Sequence, residues 1–197
     1  MSNKDWTGNK TSVFVCNGDK GHTDVDRPEL DYYATPPEMA EALLKLEPDL
    51  DMIWEPACGE GHLAKVFVKA NKLALSSDIM DRGYGHVIDF LNYNEKWLGD
   101  IVTNPPYNKA QEFVEHALNA IPDGRKVCMF LKLTFLEGQK RRKLFNLNCL
   151  KNVYVSTTRV NCALNGEFHN KQSSAVAYAW FVWEKGYNGK PMIDWFN

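Results

Sequence analysis

An apolar run, Asp100-Ile101-Val102-Thr103, leads straight into Asn104-Pro105-Pro106-Tyr107. This stretch constrains the fold more than any other in the chain. Proline has no N–H to give to a central ladder, so the strand must stop there. The second proline also restricts the backbone of the first. The segment therefore freezes a short piece of chain at the end of a buried strand, with an amide on one side and an aromatic ring on the other. In α/β proteins, ligands bind at such strand ends.

The remaining elements are consistent with that placement. Short apolar runs at 52–55, 73–77, 86–88, 101–103 and 126–131 read as strands, and spacing predicts helices at 62–70, 109–120 and 137–145. Thr35 reads as an N-cap, with Pro36 at the first helical position and Glu38 completing a capping box, which predicts a helix to about Leu46. Strands alternating with helices imply a mostly parallel sheet covered on both faces. Two late strands, 153–156 and 175–183, have no clear helix between them and predict an antiparallel hairpin at one edge. Residues 1–28 are rich in glycine and polar side chains. They read as loosely structured, apart from a candidate strand at 12–16.

At 197 residues the chain suits one domain with a real core. Its 44% hydrophobic and 24% charged residues are those of an ordinary soluble protein. No apolar run approaches the roughly 18 residues of a membrane helix. Five scattered cysteines without a C-x-x-C pair fit a reduced, cytoplasmic setting. A zinc site from Cys16 and His22 is set aside, so no metal is expected. Net charge is −2 and pI about 6.2, so overall balance does not advertise a nucleic-acid partner. Charge is locally uneven, however. Lys140-Arg141-Arg142-Lys143 is a dense basic run, either a solvated helix face or a contact with phosphates.

Three acidic turns sit at successive strand ends. Glu55-Pro56-Ala57-Cys58-Gly59-Glu60-Gly61 lies between a strand and a helix, where glycines allow close backbone approach. It lacks the third glycine of a dinucleotide fingerprint. Glu55 also suits a ligand with a positive centre better than a pyrophosphate. Asp78 follows the next strand, the usual place for a ribose partner. Asp89-Phe90 follows the third, offering a carboxylate for an amine and a ring for a purine. Each also has a plainer reading: a tight turn, helix caps for the two aspartates, and a core position for Phe90.

In these motifs the chain resembles the S-adenosylmethionine-dependent adenine-N6 DNA methyltransferases, and within them small, single-domain, phage-type members. The resemblance covers about residues 28–195 and runs in the order Tyr33-Ala34-Thr35-Pro36-Pro37, then Glu55 to Gly61, then Asn104 to Tyr107. It implies a Rossmann-like methyltransferase fold with a seven-stranded sheet. Tyr33, Thr35 and Pro36 would hold the methionine end of the cofactor, along with the turn Glu55, Pro56, Ala57, Gly59 and Gly61. Asp78 would take the ribose, and Asp89 with Phe90 the adenine. Asn104 and Pro105 would accept the two N–H bonds of the target amine. Pro106 would help fix that geometry, and Tyr107 would stack on a base flipped out of duplex DNA. Phe168 is expected against the same base, and Lys140, Arg141, Arg142 and Lys143 on phosphates. The family's separate recognition domain has no counterpart here. Only a short insert around 133–173, within a methyltransferase domain at 29–197, is left for that job. Specificity is then low, resides in that insert or needs a homodimer.

Other acceptors pose the same chemical problem. A protein glutamine amide or RNA adenine fits the same motif, though the glutamine enzymes typically add an N-terminal helical domain that residues 1–28 cannot form. A non-catalytic nucleic-acid-binding module and a nicotinamide-dependent oxidoreductase are the rivals of other classes.

Overall fold

The computed structural model describes residues 33–164 and 176–197. The chain begins with β1 (Tyr33–Ala34) and α1 (Pro37–Leu46). Next come β2 (Ile53–Glu55), α2 (His62–Lys69), β3 (Leu73–Asp78), β4 (His86–Val87) and β5 (Ile101–Thr103). Then follow α3 (Ala110–Ala120), β6 (Lys126–Lys132), α4 (Arg142–Phe145), β7 (Leu150–Ser156) and β8 (Ala163–Leu164). β9 (Tyr178–Glu184) and β10 (Met192–Phe196) complete the described elements.

Eight strands form one sheet in the order β10-β7-β9-β6-β5-β2-β3-β4, and β1 pairs with β8 in a small antiparallel ladder. Only β9 runs against its neighbours, between β6 and β7. β6 and β9 are buried along nearly their whole length, as continuous apolar strands must be when both faces are covered. The strand period of two divides their side chains between two cores. Val127, Met129, Phe181 and Trp183 face Phe113, Val114 and Ala117 of α3. Cys128, Phe130, Trp180 and Val182 face Leu43 of α1 and Phe67 of α2. The Trp180 indole N–H donates to the Met39 carbonyl at 2.9 Å, which ties α1 to the sheet.

The edge opposite the Pro-Pro turn is held by buried charge. Lys126 Nζ lies 2.6 Å from both the Glu47 and Asp49 carboxylates. Glu47 Oε1 also accepts from Asn152 at 2.8 Å and from the Tyr154 hydroxyl at 2.7 Å. Lys126 and Glu47 are both almost fully buried. Burial pulls the lysine pKa down, but its bonds to the two carboxylates outweigh this and the net shift is upward.

The fold class expected from the sequence holds, with four local corrections. The sheet has eight strands rather than seven. The antiparallel pair β7–β9 forms, but β10 adds outside it as the true edge. The helix expected at 137–145 shrinks to α4, because Gly138, at φ +112°, caps a separate 3-10 turn over Gln139–Arg141 that takes up the first part of that span. Thr35 does not cap α1, which has Pro36 at its N-cap and no side-chain cap. The candidate strand at 12–16, Cys16, His22 and Phe168 lie outside the described residues.

Candidate active site

The C-terminal ends of β2, β3, β5 and β6 converge at one edge of the sheet, since these strands are parallel. There a small, open recess is lined by Tyr33, Thr35, Glu55, Ala57, Cys58 and Asn104, with His62 and Leu63 in its wall. Three motifs that are far apart in the sequence therefore share one cavity.

Asn104 is the joint between them. Its Nδ2 donates to the Tyr33 carbonyl at 2.9 Å and to Thr35 Oγ1 at 2.8 Å. A carbonyl can only accept, so the side-chain atom facing Tyr33 must be the NH2 group. Oδ1 is thereby turned the other way, where it is buried and has no hydrogen-bond partner among the described residues. Thr35 is diverted from capping α1 because its hydroxyl is the second anchor of this amide. Pro105 is buried and Pro106 exposed. The Pro106 carbonyl accepts from the Lys109 N–H at 2.9 Å, starting the 3-10 turn Tyr107–Lys109.

Glu55 supplies a second acceptor to the same recess. It is 2% exposed, and its Oε2 has no hydrogen-bond partner among the described residues. Burial pushes its pKa well above the ordinary carboxylate value. A hydrogen bond from the Ala64 backbone pulls it partly back, and the nearby Asp78 charge raises it again. The folded protein thus keeps this proton to higher pH than the unfolded chain. The stability from this group is complete below the unfolded pKa and is lost as pH rises through the folded one. Glu55→Gln removes that loss. Its unfolding midpoint should match wild type in acid and rise above it by several degrees near neutral pH, measured by calorimetry across pH. Parallel midpoints at every pH would show that Glu55 does not carry the proton.

The acidic strand end at Asp78 holds the glycine turn. Asp78 Oδ2 accepts the Gly59 N–H at 2.9 Å and Oδ1 the Met80 N–H at 3.0 Å. Each oxygen keeps a further lone pair. Gly59 and Gly61 both have positive φ, +53° and +78°. A side chain at Gly61 would collide with the Tyr84 ring, so the bare side of this glycine is covered by the chain itself. Asp89 caps the 3-10 turn Phe90–Asn92 through the Leu91 N–H, at 3.1 Å. That turn swings the Phe90 ring inward, against Trp54 and Phe113 at 5.1 Å each. At 2% exposure the ring cannot stack on a purine. What Phe90 can offer a ligand is its main chain.

Tyr107 is flanked by Tyr33 and Tyr178, ring centroids 6.2 Å away on each count. Its hydroxyl donates to Cys162 Sγ at 3.8 Å, and burial raises its pKa well above the usual phenol value. The basic run divides. Arg141 folds back onto the carbonyls of Thr134, Phe135 and Glu137 and covers the Phe135 ring at 4.5 Å. Lys140, Arg142 and Lys143 are exposed. So Arg141 organises the turn and three cations remain to meet a ligand.

Several residues of this edge escaped sequence reasoning. Ile79 and Met80 leave large apolar side chains exposed directly after Asp78, where a flat ring could rest. Exposed apolar residues beside a predicted ligand carboxylate were the available signal. Tyr84, Tyr178 and Cys162 reach the site only through tertiary packing and left none. Among the described residues, no group of three or more His, Cys, Asp or Glu side chains is placed to hold a metal ion. No helix of the described residues is long and apolar enough to cross a membrane.

No protein-family model and no curated protein matches the chain. Solved structures do. The type IIG restriction endonuclease BpuSI superposes with a TM-score of 0.61 at 14% identity, over 83% of this chain and 27% of its own. A candidate RNA methyltransferase from Pyrococcus horikoshii gives 0.59 at 14% identity, over 88% of this chain and 98% of its own. A candidate class I S-adenosylmethionine-dependent methyltransferase from Listeria monocytogenes gives 0.55 at 14%, over 95% and 71%. The chain thus has the class I methyltransferase fold, here with eight strands. It spans about a quarter of BpuSI and nearly all of the archaeal protein.

Proposed function

We propose that this chain transfers a methyl group from S-adenosylmethionine to the exocyclic N6 amine of adenine in DNA. The observation that carries the reading is Asn104, whose Oδ1 is buried without a partner while its Nδ2 is anchored by Tyr33 and Thr35. An unmet buried acceptor costs about 1–3 kcal/mol. An N–H donor from a ligand recovers this. The fold shared with candidate S-adenosylmethionine-dependent and RNA methyltransferases supports methyl transfer, while the choice of a DNA adenine rests on the motif.

The recess suits a cationic nucleoside. Glu55 Oε2 and Asn104 Oδ1 are two buried acceptors awaiting donors. Tyr33, Thr35, Pro36 and Ala57 would surround the methionine end, with Glu55 on its ammonium and Pro56, Gly59 and Gly61 shaping the turn below. Asp78 would take the ribose hydroxyls, and Asp89 the adenine amine. When bound, S-adenosylmethionine supplies a methyl group activated by its sulfonium. The chain's own part is positioning. The adenine amine is a poor nucleophile because its lone pair is delocalised into the ring. Asn104 Oδ1 and the Pro105 carbonyl accept its two N–H bonds and draw the nitrogen toward tetrahedral geometry, so the lone pair faces the methyl carbon. Transfer would be a direct in-line displacement at the donor's methyl carbon, with the thioether leaving and the amine proton lost to solvent. Pro106 fixes this geometry and Tyr107 stacks on the base, which must leave the duplex to get there.

Lys140, Arg142 and Lys143 belong to the insert at about 133–173 and would contact DNA phosphates. Replacing all three by Glu should weaken DNA binding about a hundredfold and lower the salt slope by two to three, read by fluorescence anisotropy. An unaltered slope would leave them a solvated surface. Labelled S-adenosylmethionine incubated in parallel with unmethylated duplex DNA, RNA and protein tests the acceptor class. Label on DNA supports the reading; label only on RNA or protein overturns it.

A further inference from the structure

β6 outruns β5 on the side of the Asn104 turn. Thr103, the last residue of β5, is level with Met129 of β6, and β6 continues to Lys132. That overhang of three residues spans about 10 Å at the strand rise. It carries the Lys132 side chain to the level of Tyr107. There Lys132 Nζ lies over the Tyr107 ring, 5.0 Å from its centroid, and Lys132 itself is half-buried. Across the ladder it is paired directly with Tyr178, whose ring also flanks Tyr107. The ammonium therefore stands inside the aromatic cluster where the target base is proposed to stack.

Charge in the site is polarised. Asp78 of β3, with the acidic Glu55 of β2 beside it, lies at the end where the sulfonium is proposed to bind. The cation lies at the other end, past β5 on β6. A flipped nucleotide must bring its own phosphate with it, because the base and its phosphodiester are joined through one sugar. An incoming base also competes with the ammonium for the ring face of Tyr107. A lysine displaced from that face has a flexible four-carbon stem with which to reach an anion nearby.

We propose that Lys132 is a positioning residue that binds the phosphodiester of the flipped target nucleotide, exchanging its place over Tyr107 for the phosphate as the base stacks. This rests on the DNA-methylation reading above. It differs from the exposed cations at 140, 142 and 143 in acting on the extruded nucleotide from within the site.

The test compares wild type, Lys132→Met and Lys132→Arg in methyl transfer to long unmethylated duplex DNA of mixed sequence, at several salt concentrations. Met keeps the length of the stem and removes the charge. The assignment predicts that Lys132→Met raises KM for DNA about tenfold, the scale of one charge-assisted hydrogen bond. It leaves kcat within about twofold and lowers the slope of log KM against log salt by about one. Lys132→Arg should restore both KM and slope. Cofactor affinity by calorimetry should be unchanged in both variants, and this also reports that they fold. A Met variant with wild-type KM and slope overturns the assignment, as does one that loses kcat alone. Wild-type enzyme that labels no DNA while binding the cofactor overturns the DNA reading, and this assignment with it.

Discussion

Asn104→Ala is expected to lower kcat by about a hundred- to a thousandfold, the cost of removing one preorganised polar group from a reacting centre. Cofactor affinity should change far less. The reason lies in the geometry of one amide. Nδ2 is tethered to Tyr33 and Thr35, and only Oδ1 remains for a ligand. Asn104→Asp separates tether from acceptor. It keeps an oxygen where Oδ1 stands, but puts another against the Tyr33 carbonyl, where two acceptors repel. Activity should therefore fall in the Asp variant as well, because the surviving oxygen is no longer held. Both variants should stay folded, since Asn104 is only half-buried and lies outside both apolar cores. A kcat within tenfold of wild type in Asn104→Ala would remove this residue from the reaction.

Lys126→Met should be the most destabilising single change on the opposite edge. It leaves Glu47 buried without its cation, although Asn152 and Tyr154 still donate to it. Breaking a buried ion pair from one side costs about 3–5 kcal/mol. In a chain of this size that is about 6–20 °C in midpoint. The double variant Lys126→Met with Glu47→Gln should recover most of the loss, because a neutral amide can keep accepting from Tyr154. Thermal unfolding of the two single variants and the double one closes the cycle. A loss below 1 kcal/mol in Lys126→Met would mean that Glu47 is served well enough by its neutral donors.

Much of the scaffold could be read in advance because its signals are local. The unbroken apolar runs of β6 and β9 mark strands covered on both faces. The Pro-Pro turn marks a strand end, and it does meet the Tyr33 and Glu55 motifs in one recess. What escaped depends on contacts distant in sequence. Thr35 has every local mark of an N-cap, yet its hydroxyl serves Asn104, 69 positions further on. Asp89-Phe90 looks the same whether the ring points out or in. The capped turn decides, and it sends the ring to Trp54. Four consecutive cations look alike in sequence, but Arg141 is positioned to gather three carbonyls and leaves the other three outward. β10 was hidden by exposure. Met192, Ile193 and Trp195 are mostly open to solvent, so the strand lacks the alternation that marks one half-buried.

The central claim is that Asn104 and Pro105 present an adenine amine to a methyl donor. It is tested most directly by digesting DNA treated with enzyme and labelled S-adenosylmethionine and identifying the labelled nucleoside by mass spectrometry. The geometry predicts N6-methyladenine, formed about a hundred- to a thousandfold more slowly by Asn104→Ala. Label on N4 or carbon 5 of cytosine, or on no nucleoside while the cofactor binds, would contradict it.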